Sequence, residues 1–222
     1  MKQTLLIEIG AEELPPKALL KLSKAFTTGI VSGFEKAGLE MGAATPYATP
    51  RRLAVSIADT DQKTPDKQVE KLGPALDKAF NADGEPTPAA LGFARSCGVD
   101  VSSLEKRQTD SGGRLAYQGI EPGQSIADIL PEIVASALKS LPIPKRMRWG
   151  SSQESFVRPV HWIVALHGNV ILPLTLFDCD AGRTTYGHRF HCGQAIELAN
   201  ADDYAQQLNS PGFVMACFEQ RR

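Results

Sequence analysis

The sequence predicts an α+β fold, in which a mixed or antiparallel sheet is covered by amphipathic helices. A strand-like alternation opens the chain at 3–9, where Leu5, Ile7 and Ile9 share one face. Two helical stripes, at 16–37 and 126–141, place apolar residues at spacings of three and four. Hydrophobic residues make up 42% of the chain and charged residues 22%, which is ordinary for a folded domain.

Length and charge narrow the class of protein further. We treat 1–222 as one α+β region with a sub-boundary near 122–124. The net charge of −1 excludes a wholly basic nucleic-acid coat, so any binding of this kind needs a local patch. There is no apolar run of membrane-spanning length and no signal peptide, so we expect no membrane partner and a cytoplasmic location. The four scattered cysteines fit reduced thiols.

The first long helix is expected to begin at Pro15-Pro16, because proline needs no N–H donor in a first turn. It is expected to end at Gly38. Ser125 is the expected cap of the second long helix, a core helix that reaches Leu141. The other predicted elements are a strand at 53–58, a loop at 59–66, short helices at 75–80 and 88–97, strands at 114–121, 156–167 and 170–177, a loop at 178–185 and a helix at 200–208.

Positive charge is concentrated between Pro142 and Trp162, which we call the basic segment. Its charged residues are four cations and one acid: Lys145, Arg146, Arg148 and Arg158 against Glu154. Its larger rings are Trp149, Phe156 and Trp162. Cations interleaved with flat rings are typical of surfaces that bind RNA. A solvated basic loop whose rings pack inward would have the same composition, so both interpretations stay open.

Two further charged groups occur near the start of the chain. Glu8, Glu12 and Glu13 are either acids favoured by the positive end of the first helix, or a site for a cation or an amino group. Arg51 and Arg52 either grip a phosphate or a carboxylate, or pair with these glutamates.

Motifs for common chemistries are missing from the sequence. It contains no Walker P-loop, no dinucleotide-binding glycine motif, no zinc-protease motif and no serine elbow. His188, His191 and Cys192 are potential zinc ligands, but a second paired cluster is lacking, so we expect no metal site. The residues alone therefore indicate an α+β domain with one basic, ring-bearing segment.

Five separated blocks resemble, in order and spacing, the N-terminal part of the β subunit of bacterial glycyl-tRNA synthetase. They are Glu8–Leu19 (EIGAEELPPKAL), Pro50–Val55 (PRRLAV), Leu141–Gly150 (LPIPKRMRWG), Phe156–Trp162 (FVRPVHW) and Gly187–Phe190 (GHRF). Chains of that family are several times longer, so the resemblance implies the N-terminal part of a longer subunit. The predicted fold is also similar to the editing-type module of the phenylalanyl-tRNA synthetase β subunit.

The resemblance implies a cytoplasmic α2β2 enzyme that joins glycine to its tRNA. It implies that ATP and magnesium are used through the α subunit, with no cofactor and no catalytic residue in this chain. The expected partners are the α subunit and glycine tRNA, and DNA is not expected. The candidate tRNA contacts are Lys145, Arg146, Arg148 and Arg158. The second-tier tRNA or subunit contacts are Arg51, Arg52, His188 and Arg189, while Trp149 and Trp162 would stack or pack in the core.

Three alternatives remain at this point. The chain could be a scaffold that only docks the α subunit, in which case Ile143, Met147 and Trp149 should become buried on assembly. It could be an RNA-binding module outside any synthetase. It could be an editing-like hydrolase, although a tight pocket for glycine, the smallest amino acid, already excludes larger competitors.

Overall fold

A computed structural model describes residues 2–81, 83–109, 112–143, 145–151 and 153–221, so Pro144 and Ser152 of the basic segment lie outside it. The helices are α1 (Pro16–Ala37), α2 (Leu76–Ala79), α3 (Pro88–Cys97), α4 (Ile126–Lys139) and α5 (Tyr204–Asn209). The strands are β1 (Gln3–Ala11), β2 (Ala44–Thr49), β3 (Arg52–Thr60), β4 (Lys67–Ala75), β5 (Glu105–Thr109), β6 (Gly112–Glu121), β7 (Val160–His167), β8 (Val170–Ile171), β9 (Thr175–Leu176), β10 (Cys179–Gly182), β11 (Thr184–Tyr186) and β12 (Ala195–Glu197). The chain divides into unit 1, Met1–Thr64 with Gln124–Arg222, and unit 2, Pro65–Gly123.

A mixed sheet forms the centre of unit 1. Its strand order is β2-β3-β1-β7-β10-β9, with β8 beside β7, and β10 runs parallel to β7 while the other pairs are antiparallel. This architecture confirms the predicted α+β class. Strand β1 is buried on both sides, because Leu5, Ile7 and Ile9 contribute to one core while Leu6 belongs to another.

Helices α1 and α4 cover the first face of this sheet. Helix α1 begins at Pro16 and ends before Gly38, which adopts a left-handed conformation with φ 81°, as the sequence predicts. Ser125 caps α4 by accepting a hydrogen bond from the Asp128 N–H at 3.2 Å. The helices pack closely at Gly33, where an added Cβ would lie 2.5 Å from a methyl carbon of Ile133.

A second core covers the opposite face of the sheet. Trp162, Val164 and Leu166 of β7 pack there against Tyr204 and Leu208 of α5. Asn200 caps the helix predicted at 200–208 by accepting a hydrogen bond from the Asp202 N–H, and the first turn, Ala201–Asp203, is a 3₁₀ helix rather than an α-helix. Both faces of the sheet are therefore buried, which explains why β1 and β7 have nearly continuous apolar sequences.

Several predicted boundaries are wrong. Strand β7 begins only at Val160, since Pro159 has no N–H to donate to a ladder. The predicted strand at 170–177 is split into β8 and β9, with Pro173 between them. The predicted loop at 178–185 contains β10 and most of β11, which are short strands without a strong alternation. Strand β1 continues through Gly10 to Ala11.

Unit 2 is a three-stranded antiparallel sheet, β4-β6-β5, with α2 and α3. Its small core contains Ala79, Ala90, Ala94, Leu104 and Leu115. Helix α3 matches the prediction and ends before a left-handed Gly98 with φ 71°. Strands β4 and β5 were not predicted, because most of their residues are exposed and give no apolar alternation. No helix in the described part of the chain is long and apolar enough to cross a membrane.

We expect Gly10→Ala to destabilise the chain by about 1–3 kcal/mol, the usual cost of forcing extra atoms into a packed core. A Cβ at Gly10 would lie 1.9 Å from Cε2 of Trp162, so the indole ring would have to move. Urea unfolding measures the change. The matched control is Gly92→Ala on α3, where no atom lies within 4 Å of the new Cβ. Equal stability of Gly10→Ala and the parent chain would contradict this packing.

Candidate nucleic-acid interface

The four second-tier residues, Arg51, Arg52, His188 and Arg189, line one open pocket of about 300 Å³, which we call the basic pocket. Arg221 adds a further cation to its wall. Its apolar wall includes Phe190, Phe213 and Met215, and its acidic member is Glu13. The fold therefore joins residues that are far apart in sequence into one concave surface rich in arginine and aromatic rings.

Three chain segments meet at this pocket. Arg51 lies in the tight connection between β2 and β3, Arg52 is the first residue of β3, and 187–190 follows β11. The His188 N–H donates a hydrogen bond to the Gly212 carbonyl at 2.7 Å. This approach requires a glycine at position 187, because a Cβ there would lie 2.5 Å from the same carbonyl oxygen. The segment 187–190 is thus held against 212–215.

A buried ion pair lies under the pocket. Arg52 is 1% exposed, and its Nε lies 3.7 Å from Oε1 of Glu8. Trp162 and Thr185 donate hydrogen bonds to the same oxygen at 3.2 and 3.0 Å. Arg52 also donates to the Tyr186 carbonyl, next to the 187–190 segment. Burial raises the pKa of Glu8 above its ordinary value, and the charge of Arg52 and the hydrogen bonds oppose this rise.

This pair corrects two expectations. Arg52 has almost no surface to offer a tRNA or a subunit, so its geometry supports a positioning role for the 187–190 segment. The account of the early acids as residues favoured by a helix N-terminus does not hold for Glu8, which lies in β1 and pairs with Arg52. The first turn of α1 itself contains no acid. The alternative, in which the arginines pair with the early glutamates, is confirmed for Arg52 and Glu8.

The surface charges of the pocket centre on Arg51 and Arg189. The Arg51 guanidinium lies over the Trp162 ring at 5.4 Å, a cation–π arrangement. Arg189 donates to Oε2 of Glu12 at 3.0 Å, and His161 Nε2 lies 3.1 Å from Oε1. Desolvation lowers the pKa of Arg51, and repulsion from Arg189 lowers it further. The guanidinium groups of Arg51 and Arg189 therefore repel each other, with Glu12 as the carboxylate that contacts Arg189.

Glu12 is the one carboxylate that contacts Arg189 among the described residues. Partial desolvation raises the pKa of Glu12, but the hydrogen bond and charge of Arg189 outweigh it, with help from His161 and Arg51, so its pKa lies below the ordinary value. Glu12 is thus an anion at neutral pH, and it occupies one side of the Arg189 guanidinium.

Four rings form a continuous row at the pocket rim, which we call the ring row: Phe190, His188, His191 and Phe213. The distances between successive ring centroids are 6.2, 4.4 and 6.1 Å. Phe190 is 84% exposed and Phe213 is 64% exposed. The sequence prediction did not include these two phenylalanines. Phe190 lies within the GHRF block, whereas nothing in the apolar run at 213–218 signals that Phe213 faces solvent.

The basic segment has a different geometry. Lys145, Arg146 and Arg148 are exposed, but the Arg146 guanidinium donates to the Leu138 and Lys139 carbonyls at 3.1 Å. Arg146 therefore caps the C-terminal end of α4, which leaves Lys145 and Arg148 as the freer cations. Arg158 is half-buried and donates to the backbone carbonyls of Glu13 and Val157 at 3.1 and 2.9 Å.

The rings of the basic segment pack inward. Trp149 contacts Phe177 with ring centroids 5.8 Å apart, and Phe156 contacts the same ring at 5.2 Å. Phe156 is fully buried and Trp162 is 7% exposed. The interpretation in which these rings belong to the core is confirmed, and the accessible rings lie instead at the basic pocket. Ile143 and Trp149 already pack partly against the core, while Met147 stays exposed.

The potential metal ligands do not assemble. Within the described ranges, no three His, Cys, Asp or Glu side chains come close enough together to hold a metal ion. His188 Nδ1 instead accepts hydrogen bonds from the Phe190 and His191 N–H groups, at 3.2 and 3.4 Å. The two histidines therefore help to shape the ring row.

Comparisons with known proteins assign the family. The family model described as "Glycyl-tRNA synthetase beta subunit" matches residues 5–222. The chain is 50% identical over 220 residues to the glycine–tRNA ligase β subunit of Hahella chejuensis, which covers 99% of this chain and 32% of that relative. The corresponding subunit of Chromohalobacter salexigens is 50% identical over 218 residues, 98% of this chain and 31% of the relative.

The similarity extends to more distant bacteria. The glycine–tRNA ligase β subunit of Escherichia coli is 42% identical over 221 residues, which covers 100% of this chain and 32% of that protein. The chain therefore spans about a third of the length of these curated relatives. On the strength of the family match over nearly all of its residues, the chain belongs to the glycyl-tRNA synthetase β-subunit family.

Proposed function

We propose that this chain is a tRNA-binding part of a glycine–tRNA ligase β subunit. It acts with an α subunit that carries out the ATP-dependent joining of glycine to tRNA, and ATP and magnesium act there rather than here. The observation that carries the proposal is the basic pocket, in a chain whose family is that of a tRNA ligase. The holoenzyme works in the cytoplasm.

The charges of the pocket suit a phosphate backbone. Arginine presents a planar fork that matches phosphate oxygens, and here Arg51 and Arg189 line the same pocket. Desolvation, and then the charge of Arg189, lower the pKa of Arg51. Within the described part of the chain, the buried Nε–H of Arg51 has no hydrogen-bond acceptor. A phosphate would supply the missing negative charge. Lys145 and Arg148 offer further exposed cations on the basic segment.

The direct experiment is a titration of the chain with glycine tRNA and with a non-cognate tRNA at several salt concentrations. We expect saturable binding that weakens as salt rises, because bound counterions are released from phosphates. A cooperative thermal transition of the same sample shows that it is folded. Absence of binding at low salt by the folded chain would overturn the proposal.

Glu12→Gln is expected to strengthen tRNA binding several-fold. The affinity should also fall more steeply with salt, by an amount that corresponds to about one further phosphate contact. The substitution removes the carboxylate charge that holds Arg189 at 3.0 Å, so Arg189 becomes free to contact phosphate. The control is Glu40→Gln, which removes an exposed carboxylate paired with Lys2. Weaker tRNA binding by Glu12→Gln than by the control would show that Glu12 organises the site rather than competes with phosphate.

Docking of the α subunit is a second candidate function. The observation that favours it is the exposed apolar surface of Phe190, Phe213 and Met215, since apolar patches of this kind also form subunit interfaces. Co-purification of the α subunit with the parent chain, lost when these residues are replaced by serine while tRNA binding persists, would support docking at this surface.

A further inference from the structure

We infer that the basic pocket and the ring row together bind unpaired nucleotides of RNA, with bases stacked on Phe190 and Phe213 and phosphates beside Arg51 and Arg189. The inference rests on the proposed function and deepens it, because it specifies single-stranded rather than double-helical RNA as the ligand of this surface.

The first support is the exposure of the rings. Phenylalanine has no polar atom that gains from water, yet Phe190 and Phe213 are 84% and 64% exposed at the two ends of the ring row. Aromatic faces beside a cationic groove are the arrangement used by proteins that bind single strands, because every base has a face that can stack.

The backbone at Phe213 is the second support. Its φ is 54°, in the left-handed region that bulky residues rarely adopt. Such conformations occur at functional sites, where the surrounding structure maintains the strain. The core residue Phe177 also has a positive φ, of 55°, so it is the outward position of Phe213 that distinguishes it. Here the preceding Gly212 accepts a hydrogen bond from the His188 N–H at 2.7 Å and donates to the Gln207 carbonyl at 3.0 Å, and Phe213 points outward at the pocket rim.

The shape of the pocket is the third support. Its volume of about 300 Å³ is at the lower end of the range for small-ligand sites and suits one nucleotide. In an A-form duplex the bases are stacked inside the helix and their faces are covered. A base can therefore reach the ring row only if it is unpaired.

Charge distinguishes RNA from a protein partner at this surface. The rings lie beside Arg51, Arg189 and Arg221, and the nearest carboxylates are Glu12 and Glu13. Arg221 already donates to the Ala216 carbonyl, and Arg189 contacts Glu12. An apolar subunit interface would bury the charges of Arg51 and Arg189 with little compensating negative charge, at a high desolvation cost. A nucleotide offers each cation a phosphate and each ring a base.

The test compares a short single-stranded RNA of mixed sequence with the same strand in a duplex, by fluorescence anisotropy on the full chain. We expect the single strand to bind more tightly. Phe190→Leu keeps an apolar side chain but removes the aromatic face, so it should weaken single-strand binding roughly 5- to 150-fold and leave duplex binding unchanged. Phe190→Tyr should retain the preference. Val170→Ala, an exposed apolar truncation on β8, is the matched control.

Phe213→Asn supplies an independent readout, because asparagine tolerates a positive φ. We expect weaker single-strand binding with an unchanged or higher melting temperature, which a merely structural role of Phe213 would not produce. Equal binding of single strand and duplex by the parent chain, or unchanged preference in both leucine and asparagine variants, would overturn the inference. If glycine tRNA still binds in that case, the proposed function stands; if the parent chain binds no tRNA, both fall.

Discussion

Glu8→Ala is expected to destabilise the chain by about 3–5 kcal/mol, because the buried Arg52 and two hydrogen-bond donors lose the carboxyl group that they contact. The substitution leaves the Arg52 guanidinium, which is 1% exposed, without a carboxyl group in contact. It also removes the acceptor of the Trp162 and Thr185 hydrogen bonds. Because domains of this size have only about 5–15 kcal/mol of stability, urea unfolding should show a large shift.

Two controls separate the buried pair from ordinary surface charge. Glu40→Ala breaks the exposed pair with Lys2 and should cost less than about 1 kcal/mol. The double variant Glu8→Leu with Arg52→Met removes both charges and should regain a large part of the lost stability. It should not regain tRNA binding, since the hydrogen bond from Arg52 to the Tyr186 carbonyl is gone. A double variant no more stable than Glu8→Ala would contradict this account of the pair.

The pH dependence of stability provides a related test. Because burial raises the pKa of Glu8 in the folded state, its protonated form favours folding. The contribution of Glu8 is fully present below its unfolded pKa, about 4.3, and is lost as pH rises through the folded value. Unfolding of the parent chain and of Glu8→Gln across this range should therefore show the parent losing stability relative to the variant as pH rises. The opposite slope would mean that Arg52 outweighs desolvation.

Arg51→Ala combined with Arg189→Ala is expected to weaken tRNA binding about tenfold or more for each arginine that contacts a phosphate, since a charge-assisted hydrogen bond contributes about 1.5–3 kcal/mol. The logarithm of affinity should also depend less steeply on the logarithm of salt concentration. The change in slope should correspond to the loss of about two phosphate contacts. Titration of parent and variant with glycine tRNA at several salt concentrations measures both quantities.

The matched control removes the same charge elsewhere. Lys21 and Lys24 are exposed on α1, which covers the other face of the sheet. Lys21→Ala with Lys24→Ala should leave affinity and salt slope close to the parent values. Equal losses in the two double variants would indicate that net charge, rather than the basic pocket, determines binding. A test with Arg146 is less informative, because its guanidinium caps α4.

The helices were the most predictable part of the fold. Gly38 and Gly98 mark helix ends by adopting left-handed conformations, and Ser125 caps α4 through its own side chain. These are local effects, so the sequence displays them. Strand β4 depends on a partner distant in sequence, β6, whereas β5 and β10 pair with their sequence neighbours β6 and β9. The exposed or half-exposed residues of these three strands give no pattern that marks them.

The sequence drew attention to the arginines of the basic pocket but not to its rings. The blocks with Arg51 and Arg189 were singled out as candidate contacts, which stays a prediction, and the structure brings both arginines to one pocket. The prediction concentrated on the aromatic residues of the basic segment, which the fold buries. Whether a phenylalanine packs inward or faces solvent depends on tertiary contacts, as the exposed Phe190 shows. The predicted similarity to an editing-type module stays a prediction.

The most direct measurement is photo-crosslinking from position 190, with p-benzoylphenylalanine in place of Phe190, in a mixture of the chain, the α subunit and glycine tRNA. Phe190 is the most exposed large apolar side chain in the described part of the chain and borders the basic pocket. The account predicts a crosslinked product that contains RNA and is competed away by unlabelled glycine tRNA. Crosslinks to the α subunit alone, at saturating tRNA, would contradict it.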